Sequence, residues 1–588
     1  MINKVSNYDK HPFIPVEGFE DDCWQGWEAI GEKLKKELHP VAGKKKVVAV
    51  ESYIGVNQEE VLSALIRALR PVYTCLASDA YKCTAEIDKM VYPDVTDDRI
   101  FGYLSRLRIN DFFDKSRLAT IRNNIHNVEE EGVILLYGMG ATLLAPADIL
   151  VYADMPRWEG QLRFRRNEAN NLGSENKNAE TAIQYKRAYF VDWRVCDRLK
   201  KTLINKWDYV LDTVITQQPK MVSGEAVRAG LRQAVTQPFR VVPFFDPGPW
   251  GGQWMKEVCD LDRSVINYAW CFDCVPEENS LLLEFGDLRF EIPASNLVFY
   301  QPKELLGAPV HARFGDEFPI RFDFLDTMEG GNLSLQVHPL TEYIQEYFGM
   351  PYTQDESYYM LDAAEDACVY LGLKENTQPA LMMQELRESE VTGHFDAEAY
   401  VEKWPVKKHD HILIPAGTVH CSGTNCMVLE VSATPYIFTF KLWDWGRMGL
   451  DGKPRPIYIN HGESNIQWGR TASWTKENLL NRVEKIAEGE GWMEERTGLH
   501  ENEFIETRRH WFTQPVLHNT GGIVNVINLV DGREAIVESP TGAFSPFIVH
   551  YAETFIVPAQ VGAYRISPYG ESEDKLCATL KAYVRTKA

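Results

Sequence analysis

Four residues of metal-ligating type stand within the stretch from 336 to 420. Gln336 and His338 lie in "GGNLSLQVHPLTEY", where Leu333, Leu335 and Val337 alternate with Ser334, Gln336 and His338. That two-residue period predicts a strand with Ser334, Gln336 and His338 on one face. Glu356 lies in "PYTQDESYYML", just before an apolar strand, and His420 follows a Pro-Ala-Gly turn in "HILIPAGTVHCSG". Imidazole together with carboxylate and amide oxygen suits a borderline divalent ion such as zinc, with a position left for water or substrate. Each residue alone also has a structural reading: a surface or internally hydrogen-bonded histidine, a solvated turn glutamate. His409 and His411, in "KKHDHILI", share a strand face before the glycine turn and are read as exposed. Cys271 and Cys274 form a lone Cys-x-x-Cys without a second pair at zinc-ribbon spacing, so they are read as small hydrophobes.

The elements that would carry these residues fall into three regions. Residues 1–235 read as α/β. Strands are expected at "VVAVESYIG", "GVILLYG" and "ADILVYADM", with a helix over "NQEEVLSALIRALR", and such alternation implies a parallel sheet. Polar "RRNEANNLGSENKNAET" reads as a mobile loop. Residues 236–470 and 471–588 read as two antiparallel barrels of jelly-roll type, rich in short alternating strands and Gly/Pro turns. A helical insertion is expected near "QPALMMQELRES", and a second helix over "TKENLLNRVEKIAEG".

Composition sets limits. The 588 residues are 45% hydrophobic and 25% charged, ordinary for a globular chain of several domains. A net charge of −22 disfavours nucleic acid and anionic membranes as partners, but leaves room for a phosphorylated small molecule in a local basic pocket. No apolar run has the length of a membrane span and the start lacks a signal-peptide core, so a cytoplasmic protein is expected. Eleven scattered cysteines fit a reducing compartment. The oligomeric state is not readable.

The segments "PWGG", "FPIRFDFLD…GGNLSLQVHP", "DESYYMLDA", "HILIPAGTVHCSG…MVLEVS" and "KLWDWGR…GKPRPIYI" resemble, in order, those of the class I phosphomannose isomerases. The resemblance covers about residues 240 to 588. It implies a two-cupin (bicupin) protein with zinc in the first barrel, held by Gln336, His338, Glu356 and His420. The implied activity is interconversion of mannose 6-phosphate and fructose 6-phosphate through an enediol. Arg447 matches the family's active-site arginine, and Ser334 a serine near the substrate phosphate. Glu430 is expected beside a ligand histidine. Two family lysines are replaced, by Gln354 and Asp323. Arg321 and Lys441 are then the cations expected at the substrate, and Tyr458 replaces a histidine. These departures leave the catalytic base unassigned and put the sugar in question. A non-catalytic metal-binding sugar sensor is the alternative.

"VVAVESYIGVNQEEVL" resembles the first strand, phosphate loop and helix of uridine-kinase-like proteins, and Arg163, Arg165 and Arg166 resemble that family's lid. Gly55 is kept, but Asn57, Gln58 and Glu59 replace the Gly-Lys-Thr that holds nucleotide phosphate and magnesium. The resemblance therefore implies a degenerate P-loop domain that binds no ATP.

Overall fold

The structure is a computed structural model that describes residues 5–38, 45–448, 455–498, 500–501 and 503–586. The chain divides into two compact units: Phe13–Ala234 with Glu277–Tyr300, and Met1–Pro12 with Val235–Pro276 and Gln301–Ala588. Residues 277–300, expected in the first barrel, fold with the α/β unit instead. The strands Ser280–Phe285 and Leu288–Pro293 form a hairpin to which Phe13–Pro15 adds in parallel.

Among the described residues the α/β unit has a seven-stranded sheet in the order Cys23–Gln25, Lys220–Ser223, Tyr209–Asp212, Ile149–Asp154, Lys46–Ser52, Val133–Gly138, Tyr73–Leu76. The last five of these are parallel and the first two pair antiparallel, so the sheet is mixed rather than wholly parallel. Val48, Val50, Leu135, Tyr137 and Val151 fill its core against Val61, Leu65 and Leu69 of the helix Gln58–Leu69, as expected for strands covered on both faces. Asn57 caps that helix by accepting from Glu60 N at 3.1 Å. Gly55 has φ +97°, and a Cβ there would lie 3.2 Å from Gly160 Cα and Met155 Cγ. Arg163 is buried, donating to Gly55 O at 2.9 Å and to Thr213 O at 2.6 Å. The polar stretch read as mobile is anchored: Asn171 is buried and donates to Asp192 Oδ2 at 2.7 Å.

The other unit holds two pairs of antiparallel sheets. In the first pair, six strands run in the order His411–Ile414, Glu356–Ala363, Cys426–Ala433, Ile320–Asp326, Trp270–Cys274, Phe244–Asp246. Five run in the order Val401–Pro405, Cys368–Leu373, His420–Ser422, Leu335–Val337, Phe440–Trp443. The second pair has Glu484–Gly489, Trp492–Arg496, Ile505–Phe512, Cys577–Val584, Asn525–Asp531 and Thr554–Val557 in one sheet, and Val516–Asn519, Ala563–Pro568, Glu534–Glu538 and Phe547–His550 in the other. Phe512, Leu529, Val537, Ile566 and Cys577 share one core between them. Among the described residues no ladder closes on itself, so each region, expected as a barrel of jelly-roll type, is a pair of open sheets.

The insertion helix forms as Pro379–Thr392, with proline in its first turn and Gly393 in the left-handed region at its end. The second expected helix does not. Ala472–Asn478 is helical, Asn481 takes a positive φ, and Glu484–Gly489 is a strand paired with Trp492–Arg496. Leu479, Leu480, Val483 and Ile486 mimic a helical period, but hairpin pairing across Gly491 (φ +74°) prevails. No helix among the described residues is long and apolar enough to cross a membrane.

Candidate metal centre

Backbone register builds this site. Gln336 pairs with His420 across one ladder and with Lys441 across the other, so the three side chains form a row on one sheet face. His338 follows directly after Leu335–Val337, and Glu356 opens the strand Glu356–Ala363 in the other sheet. The turn that delivers His420 is held firmly. Gly417 (φ +87°) donates to His338 O at 3.0 Å, and Ala416 N donates to Asp355 Oδ1 at 2.8 Å. Arg470 donates to Pro415 O at 2.8 Å and Ala416 O at 2.7 Å.

His338, Glu356 and His420 are fully buried, and their donor atoms lie within 4.8 Å of one another. His338 Nδ1 meets Phe438 O at 2.9 Å, and His420 Nδ1 meets Thr418 O at 2.8 Å. A carbonyl oxygen only accepts, so both Nδ1 atoms carry the proton. Both Nε2 atoms then turn toward Glu356, at 3.1 Å from Oε2 and 2.9 Å from Oε1. Gln336 Nε2 lies 3.3 Å from His420 Nε2. Turning the amide by 180° exchanges its nitrogen for its oxygen, two atoms assigned by hydrogen bonding alone.

Two neutral imidazole nitrogens facing a carboxylate repel it unless a cation lies between them. His338 Nε2 and Glu356 Oε1 accordingly have no hydrogen-bond partner despite complete burial. With both Nδ1 atoms tied to carbonyls, the remaining donors suit a divalent ion.

Around these donors the expected substrate residues take defined places. Arg321 contacts Glu430, lies 3.3 Å from Asp323, and stands over the Tyr436 ring at 5.3 Å. Burial raises the Asp323 carboxyl well above its usual value and Glu430 to about 7. Glu430 was expected beside a ligand histidine, but it is bonded to Arg321 and to Ser432 Oγ (2.8 Å). Gln354 donates to Glu356 Oε2 at 3.0 Å, so it supports the carboxylate where the family has a lysine.

Ser334 donates to Asp444 Oδ1 at 2.8 Å, and Arg447 donates to the same atom at 2.7 Å. Arg455 reaches Asp444 Oδ2 at 2.9 Å. Burial, then the neighbouring Arg455, lowers the Lys441 amine to about 7. The sequence reading missed Arg455 and Arg470. The only trace of Arg455 was its place in "GKPRPIYI", and Arg470 carried none. His409 and His411, read as exposed, are covered. His411 is fully buried with Nε2 2.8 Å from Ser357 Oγ, and His409 is half-buried with Nε2 3.1 Å from Asp531. Both faces of the His411 strand are packed, which its alternation did not reveal. Cys271 and Cys274 are buried, as small hydrophobes would be.

Residues 26–236 match a family model described as a domain of unknown function, DUF8485. Mannose-6-phosphate isomerase of Streptococcus mutans is 26% identical over 228 residues, 38% of this chain and 66% of that protein. Mannose-6-phosphate isomerase ManA of Bacillus subtilis is 30% identical over 145 residues, 25% of this chain and 43% of that protein. Among solved structures, the mannose 6-phosphate isomerase from Bacillus subtilis superposes with a TM-score of 0.47 and 16% identity, over 59% of this chain and 99% of that one. The chain thus spans about two thirds of the first of these curated relatives and less than half of the second. Part of this chain is homologous to mannose-6-phosphate isomerases.

Proposed function

We propose that the chain is a metal-dependent aldose–ketose isomerase acting on a sugar phosphate of the mannose 6-phosphate/fructose 6-phosphate type. One observation carries the reading: both imidazole Nε2 atoms and the Glu356 carboxylate converge in a fully buried centre, while both Nδ1 atoms are held by carbonyls. Homology to isomerases of this class supports the choice of substrate class.

In this reading residues 236–276 with 301–470, and residues 471–588, are two cupin modules, and Gln336, His338, Glu356 and His420 hold zinc. When bound, the ion polarises the sugar's carbonyl and hydroxyl oxygens. A proton passes between C1 and C2 through an enediol. Gln354 and the carbonyls of Thr418 and Phe438 orient the ligands, leaving little to reorganise. Arg447 and Arg455, gathered on Asp444 beside Ser334, together with Lys441 in the Gln336 row, supply positive charge for the phosphate. Arg321 is held by Glu430 and Asp323, so in this reading it balances buried carboxylates and reaches substrate only if that pairing opens. The activity is placed in the cytoplasm.

The test is a coupled assay with mannose 6-phosphate, with and without zinc. Metal-dependent turnover supports the reading. Bound metal without turnover on any hexose phosphate favours the sensor, for which the engaged Arg321 and the substitution by Gln354 speak. The α/β unit is proposed to be a kinase-like module that binds no ATP. Asn57 caps the helix where a phosphate would sit, and Arg163 is held by the carbonyls of Gly55 and Thr213. Tight magnesium-dependent ATP binding by calorimetry would refute this.

A further inference from the structure

Residues 484–584 contain a second polar centre, remote in sequence from the metal ligands. Most of the core between their two sheets is apolar, but one end is not. His510 of Ile505–Phe512 and His518 of Val516–Asn519 meet across the gap, with ring centroids 4.5 Å apart at 77°. His518 stacks on Tyr564 at 5.2 Å, and Tyr564 donates to Asn525 Oδ1 at 2.9 Å. Register places Thr579 opposite His510 and Lys581 opposite Arg508, on the same sheet face.

These groups are buried yet unsatisfied. His510 is 2% exposed, His518 5% and Lys581 8%, and His510 Nδ1, His518 Nε2 and Thr579 Oγ1 have no hydrogen-bond partner. Burial lowers both imidazoles, and it brings the Lys581 amine down to about 8. Among the described residues no carboxylate lies within 4.0 Å of Lys581 Nζ. Arg508, by contrast, is already paired with Glu506. His518 Nε2 and Thr579 Oγ1 without a partner, and Lys581 without an ion pair among the described residues, make an incomplete polar network in an otherwise dry core, while His510 already faces Glu494 through Nε2 at 3.4 Å.

We infer that this end of the second sheet pair is a binding site for a small oxyanion, a phosphate group, held by Lys581, His518 and Thr579. An oxyanion supplies the acceptors these groups lack, and hydrogen bonds to charged partners are the strong ones. A metal fits poorly. Among the described residues the one set of three ligating side chains with donor atoms within 4.8 Å is His338, Glu356 and His420. An unpaired Lys581 would also repel a cation. The charged and titratable groups facing the site are Glu494 from Trp492–Arg496, Glu506 and Arg508 from Ile505–Phe512, Tyr564 from Ala563–Pro568, and Tyr583 beside Lys581. Glu494 lies 3.4 Å from His510 Nε2, and burial of the imidazoles sets the larger cost of charging them. Lys581, brought down to about 8, is charged at pH 6 and mostly neutral at pH 8.5, so phosphate binding is tighter at pH 6 than at pH 8.5.

The test is calorimetry of the full chain with inorganic phosphate. His420→Ala, which disables the metal centre, is run alongside to separate this site from the one proposed for substrate. The expected result is a saturable phosphate site kept in His420→Ala and weakened at least about tenfold in Lys581→Met and in His518→Asn. Competition by mannose 6-phosphate but not by mannose assigns the group to a phosphate ester; competition by neither assigns it to free phosphate. The inference is overturned by the absence of saturable phosphate binding in the wild-type chain. Wild-type affinity in folded Lys581→Met, or a second zinc equivalent lost in His518→Asn, overturns it as well.

Discussion

Glu356→Gln separates the role of charge at the metal centre from the role of shape. Glu356 sits between the two imidazoles, 3.1 Å from His338 Nε2 and 2.9 Å from His420 Nε2, with no exposed surface. Glutamine keeps its volume and removes its charge. Zinc sites built from protein ligands are worth about 10–16 kcal/mol. Divided over the four donors proposed here, that is about 2.5–4 kcal/mol each, so losing one worth ~3.4 kcal/mol weakens binding roughly 300-fold. The consequence for stability follows from mass action. At free zinc about 100 times the wild-type Kd, the wild-type fold gains about 2.7 kcal/mol, while a 300-fold weaker variant gains only about 0.2 kcal/mol. Without metal the variant unfolds no more easily than the wild type, because a buried carboxylate facing two nitrogen lone pairs has been replaced by a neutral group. Metal analysis after dialysis gives the stoichiometry, calorimetry the affinity, and thermal unfolding with and without zinc the coupling. Wild-type zinc affinity in Glu356→Gln, or a wild-type chain that zinc does not stabilise, would show that these residues are not ligands.

Three further perturbations probe the groups around this centre and the α/β unit. Burial, and secondarily Arg509, pushes the His411 imidazole down to about 3. Its stability contribution is complete above the unfolded value of about 6.5 and is lost as the pH falls toward the folded one. Urea unfolding of the all-β unit should therefore lose about 1.4 kcal/mol from this group between pH 7.5 and 5.5; an unaltered slope in His411→Phe would contradict the assignment. Asp444→Asn leaves Arg447 and Arg455 without the carboxylate they share. It should cost about 3–5 kcal/mol by denaturant unfolding and, by freeing both arginines from a competing carboxylate, lower KM for the sugar phosphate. In the α/β unit, Lys200 and Asp154 pair at 2.8 Å with almost no exposure. Lys200→Met strands Asp154 and should destabilise by a similar ~3–5 kcal/mol, while the double variant Lys200→Met/Asp154→Leu should recover most of it. Equal losses in both variants would mean that the pair acts through packing rather than charge.

The residues proposed as metal donors were legible as a cluster in the sequence because their chemistry is local. A two-residue period puts Gln336 and His338 on one strand face, and a Pro-Ala-Gly turn announces His420. The parallel strands of the α/β unit were legible for the same reason, as short apolar runs bounded by turns. What escaped depends on partners far along the chain. Residues 277–300 look like any other β-hairpin, and only their packing assigns them to the α/β unit. Arg470 holds the turn before His420 from 55 residues away. Arg321 carried the right charge for substrate, yet its partner Glu430 is 109 residues away and faces it across a ladder. A ligand residue is recognised by its type and spacing. A cation's freedom to meet a phosphate depends on whether the fold has already given it a carboxylate. Among the described residues Arg321, Arg447 and Arg455 are all paired, while Lys441, in the same row as Gln336, has no ion pair within 4.0 Å. On the proposed function, specificity for a phosphorylated sugar at this centre turns on Lys441 and on the competition between substrate phosphate and Asp444 for the two arginines.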